Sequence, residues 1–216
     1  MIKINKQSCP SVLTQNKDKW TQELLEYYKK GERPPDSLVS KYRHADIKSA
    51  VRKDSYDKCI YCESKVTPTY SGDIEHLKPK SKYQHLTYEW TNLGYVCSKC
   101  NIAKLDKYNE ALPYVNPYVE DPSNFFKALG TFIWHLPNNQ RGEITEREIQ
   151  LNRAELIEAR KERLDLLRNL IDRYMSPQND SLKPAFLDEL KIEIADNKEY
   201  AMSTRSLVVA MIGDMN

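Results

Sequence analysis

Two Cys-x-x-Cys pairs, Cys59/Cys62 and Cys97/Cys100, stand 34 residues apart and constrain this chain more than any other feature. Each such turn can aim both sulfurs at one ion, and four thiolates close a tetrahedral zinc site with no open position. The zinc is therefore expected to be structural, tying the entrance of a central hairpin to the start of the helix that follows it. Four of the five cysteines sit in these pairs, which fits a reducing compartment and bound metal better than disulfides. Cys9 is left over as a free thiol.

The residues between the knuckles carry chemistry. In Gly72-Asp73-Ile74-Glu75-His76-Leu77-Lys78-Pro79 a histidine follows a carboxylate and precedes a proline-terminated turn. A lone histidine is more often structural than catalytic, but this one lies inside a metal-stapled loop. A neutral imidazole can take a proton from water near neutral pH, which makes His76 the candidate general base. Glu75 offers hard oxygens suited to Mg2+ or Mn2+, and Asp73 competes for that role. On a regular strand Asp73 and Glu75 share one face and His76 takes the other. Glu75 and His76 can then face one substrate only if the strand bends.

Downstream, Asn92 is a candidate to hydrogen-bond across the loop and hold the His76 backbone, or else an ordinary turn asparagine. Asn101 follows Cys100 near a helix N-terminus, where its amide oxygen could reach the same cation as Glu75. Lys104, a helical turn further on, is either a phosphate contact or a plain surface lysine. Lys78 and Lys80, in the turn after His76, join it as candidate substrate-binding residues.

Whole-chain charge argues little for nucleic acid: 33 basic against 31 acidic residues give a net +2. From His76 to Lys107, however, six lysines (78, 80, 82, 99, 104 and 107) face only Glu89 and Asp106. That local excess surrounds the candidate site, where a phosphate would have to sit. Met1–Lys6 lacks the apolar core of a signal peptide, and Leu207–Ile212 is too short to span a bilayer. The cytoplasm is the expected location, with no membrane partner.

Four regions are expected. Residues 1–55 are helical, with Trp20, Leu24 and Tyr27 or Tyr28 at helical spacing before Gly31, and Ile47 and Val51 on a second helix. Residues 56–110 form the zinc-stapled core, turn-rich, with short strands near Asp73–Leu77 and Leu93–Val96 and a helix from Ser98 towards Tyr108. Residues 111–150, rich in proline and aromatics, form an ordered connection packing on the core, with a strand at Thr131–His135. Residues 151–216 are helical, opening on Asn152-Arg-Ala-Glu155, which has the pattern of a capping box with Asn152 as cap. The fold class is α+β, mostly helical. No nucleotide-binding loop occurs, so any ATP dependence must come from a partner.

Taken in order, CxxC, Glu-His-x-x-Pro, Asn-Leu and CxxC-Asn-x-x-Lys resemble the HNH endonucleases in their four-cysteine form, whose core is a ββα-metal motif. The resemblance covers about a quarter of the chain. It implies a DNA-cleaving enzyme with His76 as base, Asn92 orienting the loop and Asn101 a metal ligand; Glu75 stands where Asp is commoner. Flanking stretches (Lys41–Ile47, Glu89–Leu93, Asn116–Tyr118 and Leu151–Arg153) are similar to the HNH components of Septu-type antiphage systems. That similarity implies a PtuA-like ABC-type ATPase partner in a multimeric complex. Two other readings share the same residues: a catalytically silent zinc-dependent adaptor for DNA or an ATPase, and an RNase or tRNase.

Overall fold

A computed structural model of the chain describes residues 1–66 and 72–214. The part of the turn-rich stretch at 67–71 lies outside the described residues. Helices dominate, and among the described residues the strands form two small antiparallel sheets of two strands each.

The N-terminal region contains α1 (Ser11–Lys29), the single turn α2 (Asp36–Val39), a 3-10 turn over Ser40–Arg43, and α3 (Ala45–Asp54). Leu13 and Leu24 of α1, with Ile47 and Val51 of α3, are buried in the main core. Pro34-Pro35 separates α1 from α2, because a prolyl nitrogen cannot continue the helical ladder. His44 caps α3, its Nδ1 accepting from the Asp46 amide at 3.2 Å.

The central unit is β1 (Asp73–His76), β2 (Leu93–Val96) and α4 (Ser98–Lys104). The strands pair in unbroken register, Asp73 with Val96, Ile74 with Tyr95, Glu75 with Gly94 and His76 with Leu93. Gly94 lets the first cysteine turn lie close: a Cβ at this position would come 2.6 Å from Ile60 Cδ1, so the Ile60 side chain would have to shift. The same approach is pinned by the Ile60 amide, which donates to Tyr95 O at 3.0 Å. α4 ends at Lys104, earlier than its sequence pattern suggests, because Leu105 turns to φ +48°, ψ −128°.

Beyond the core lie β3 (Phe126–Leu129) and β4 (Phe132–His135), then α5 (Gln140–Glu148). β4 coincides with the expected strand, whereas α5 falls in a segment expected to be extended. α6 (Ala154–Met175), α7 (Lys183–Glu193) and α8 (Ala201–Ile212) bury a second, smaller apolar cluster made of Leu167, Leu170, Ile171, Phe186, Leu190 and Val208. Asn152 does not cap α6, whose N-cap is Arg153. Its side chain instead accepts from the Ile133 amide at 2.9 Å and donates to Ile133 O at 2.8 Å, tying β4 to the helix start. No helix of the described residues is long and apolar enough to cross a membrane.

Candidate active site

The four cysteines meet. Their sulfurs all lie within 4.8 Å of one another, and Cys62 Sγ is 3.8 Å from Cys97 Sγ. Ligands about 2.3 Å from a tetrahedral zinc stand about 3.8 Å apart, so the cluster fits that ion. Cys97 is the N-cap of α4, its sulfur accepting from the Cys100 amide at 3.5 Å. Arg153 reaches the cluster from the far end of the sequence, Nη1 3.5 Å from Cys100 Sγ and Nη2 3.8 Å from Cys97 Sγ. Burial works against the Arg153 charge, but the neighbouring sulfurs outweigh it and hold its pKa above the ordinary value. A cation at this place offsets the negative charge that four thiolates leave around a divalent ion.

His76 closes β1. It is only 6% exposed, yet it lines an open cleft of about 330 Å3 together with Tyr42, Arg43, Asp73, Glu75, Lys80 and Asn101. Its Nε2 lies 2.9 Å from Thr87 O. A carbonyl only accepts, so Nε2 carries the proton and Nδ1 is left as the basic nitrogen. The Tyr42 ring stands edge-on to the imidazole, centroids 4.5 Å apart. Burial brings the His76 pKa down to about 4; the Thr87 carbonyl opposes this, and Lys80, Lys104 and Arg43 push the same way. At neutral pH the ring is an uncharged base.

The other face of β1 meets α4 in two rungs. Asn101 Nδ2 donates to Asp73 Oδ2 at 3.0 Å, and Lys104 Nζ lies 2.5 Å from Glu75 Oε1. Residues two apart on a strand thus face residues three apart on a helix, as the two periodicities require. Glu75 and His76, adjacent on the strand, both line the cleft. Asn101 touches Asp73 rather than Glu75. Burial pushes the Glu75 carboxyl up, Lys104 opposes, and the nearby Asp73 charge adds to the rise. Among the described residues Asn101 Oδ1 accepts no hydrogen bond, so Asp73 and Asn101 present hard oxygens of the kind that suit Mg2+ or Mn2+.

The lysines are placed differently from the sequence expectation. Lys104 is fully buried and also donates to His76 O at 2.9 Å, so it cannot contact a phosphate. Once its stem enters the core, only a buried carboxylate and carbonyl can satisfy the ammonium. Lys78 points to the opposite side of the loop, 3.9 Å from Glu110 and over the Tyr83 ring at 5.2 Å. Lys80 alone of the six lysines lines the cleft. Arg43 joins it there, from outside the zinc-stapled segment. A basic run at Lys41-Tyr42-Arg43-His44 was the only sequence signal for that residue, and it says nothing about distance to His76.

Asn92 is buried between the two ends of the loop after β1. Its Oδ1 accepts from the Lys78 amide at 2.7 Å, and its Nδ2 donates to Lys78 O at 3.0 Å and Leu86 O at 3.1 Å. Its main-chain oxygen accepts from Leu77 N at 2.9 Å. It therefore fixes the chain just past His76 rather than His76 itself.

Comparison with known proteins meets this geometry on the same residues. Residues 59–107 match the HNH endonuclease family model. The chain is 33% identical over 130 residues to the Septu protein PtuB of Bacillus thuringiensis, a match covering 60% of this chain and 47% of that relative. It is 28% identical, over 194 residues of alignment, to the Septu protein PtuB of Bacillus mycoides (strain KBAB4), covering 74% of this chain and 66% of the relative. The matched parts thus span about half to two thirds of the relatives' own length. Residues 59–107, from the first zinc knuckle to just beyond α4, thus match the HNH endonuclease family in a chain similar to Septu proteins PtuB.

Proposed function

We propose that the chain is a metal-dependent endonuclease that hydrolyses DNA phosphodiester bonds as the nuclease of a Septu-type antiphage system. The observation that carries this reading is the His76 ring: its Nε2 is committed to Thr87 O at 2.9 Å, and the ring lines the cleft that also holds Asp73 and Asn101. His76 Nδ1 takes the proton of an attacking water, and Thr87 O and Tyr42 hold the ring in the required tautomer and orientation. Asp73 and Asn101 would hold the divalent cation, and Glu75, already neutralised by Lys104, braces the strand behind it. A bound Mg2+ or Mn2+ supplies charge stabilisation to the phosphate and the departing oxygen. Lys80 draws the nucleic-acid backbone into the cleft. The four cysteines hold a structural zinc that keeps β1, β2 and α4 in place.

Its similarity to Septu proteins PtuB supports a Septu role, in which this chain works in a multimeric complex with a PtuA-like ABC-type ATPase. The adaptor reading loses support because His76, Asp73 and Asn101 converge on one open cleft, a juxtaposition that binding alone does not need.

Two experiments test the proposal. Purified protein incubated with supercoiled plasmid and, separately, with tRNA in Mg2+ or Mn2+ should nick or linearise the plasmid and leave the tRNA intact; cleavage of tRNA alone would reassign the substrate. Expression beside the neighbouring genes of its source genome should bring down an ATPase with the chain, and its purification alone would remove the partner from the account.

A further inference from the structure

We propose that Arg43 is a phosphate-binding residue of the cleft, so that the N-terminal region completes an active site which residues 59–107 hold only in part. The inference deepens the endonuclease reading above and rests on it.

Arg43 ends the 3-10 turn Ser40–Arg43 and is exposed on the wall of the His76 cleft. Its guanidinium is held at one end. Nε donates to Tyr42 Oη at 3.1 Å, and Tyr42 is itself buried, 5% exposed, with its ring against His76. The other end of the fork is uncommitted: among the described residues Nη1 and Nη2 have neither a hydrogen bond nor an ion pair. The nearest acid in sequence, Asp46, is turned to His44, 3.7 Å from its Nδ1. Lys80 Nζ stands over the same tyrosine, 6.0 Å from the Tyr42 ring centroid.

Charge is therefore divided within one cleft. Asp73 and Asn101 offer oxygens, Arg43 and Lys80 offer donors, and all four line it with His76. A cation would take the oxygens and a nucleic-acid phosphate the donors. An anchored guanidinium with two free N–H arms matches the paired oxygens of a phosphate, which a lysine ammonium meets only as a point charge.

The test uses the full chain and a short fluorescein-labelled DNA duplex. Binding is followed by anisotropy over a salt series in the His76→Ala background, with Arg43→Ala, Arg43→Gln and Arg43→Lys added in turn. Loss of one phosphate contact should weaken binding about tenfold and flatten the plot of log affinity against log salt by about one. Arg43→Lys should restore the slope but only part of the affinity. In the active protein, Arg43→Ala should raise KM about tenfold with an unchanged melting temperature. Should Arg43→Ala fold poorly, Arg43→Gln, which keeps a donor for Tyr42 without the charge, must still flatten the slope. An unchanged slope and KM in Arg43→Gln overturns the inference, and so does a wild type that binds no DNA. Absence of plasmid cleavage by the folded, zinc-loaded wild type would instead overturn the endonuclease reading, while the salt series still judges Arg43.

Discussion

Lys104 Nζ and Glu75 Oε1 lie 2.5 Å apart, and neither side chain is more than 7% exposed. Lys104 also holds His76 O at 2.9 Å, so this ion pair is a strut from α4 to the strand end that presents the base. Removing one member of such a buried pair leaves the other charge without a partner. Lys104→Met should therefore cost about 3–5 kcal/mol, far more than an exposed lysine, and Glu75→Gln in the same chain should recover much of it. Urea unfolding of the single and double variants checks this. A loss below about 1 kcal/mol in the single variant would place the ammonium at the surface.

The second rung, Asp73 with Asn101, makes a separate prediction about the cation. Asp73→Asn should raise the Mg2+ concentration needed for half-maximal cleavage by about tenfold or more. Glu75→Gln should leave that concentration close to the wild-type value while lowering stability. A Mg2+ titration of the cleavage rate distinguishes the two carboxylates, and the opposite ranking would give the ligand role to Glu75.

What the sequence disclosed and what it concealed divide along physical lines. The cysteine spacing, the strand at Leu93–Val96 and the helix after Cys97 are local, set by a few adjacent residues, and the structure shows them as expected. The partners of Glu75, Asp73 and Arg43 depend on how α4 and the N-terminal turn lie across β1, which no local pattern encodes. Lys104 reads as a surface residue because lysine usually is one. Its burial follows from Glu75, an acid 29 residues earlier in the sequence but 2.5 Å away in the fold, and sequence offers no sign of it. Asn152 was misplaced for a similar reason: a capping pattern was present, but β4 offered its side chain better partners.

Asn92 closes the loop that carries Lys80. Asn92→Ala removes three hydrogen bonds, two donated to Lys78 O and Leu86 O and one accepted from Lys78 N. The expected cost is about 1–3 kcal/mol, since buried main-chain groups are left unpaired. Thermal unfolding with a parallel cleavage assay should show both quantities falling, because the loop positions part of the cleft. A drop in activity with no change in stability would mean that Asn92 acts on substrate directly.

Zinc and catalysis should separate. Cys97→Ser should lower zinc content and loosen the whole β1–β2–α4 unit, since ligand loss removes metal-linked folding energy. His76→Ala should retain zinc and unfold cooperatively. Metal analysis by mass spectrometry with melting curves tests the division, which fails if both variants lose zinc alike.

The most direct measurement is the rate of plasmid cleavage in Mg2+ or Mn2+ by wild type and by His76→Ala, each shown to be folded and zinc-loaded. Loss of the general base should slow cleavage by about 10²–10⁴-fold. Equal rates in the two proteins would contradict the assignment of His76 as the base and, with it, the chemistry proposed for the cleft.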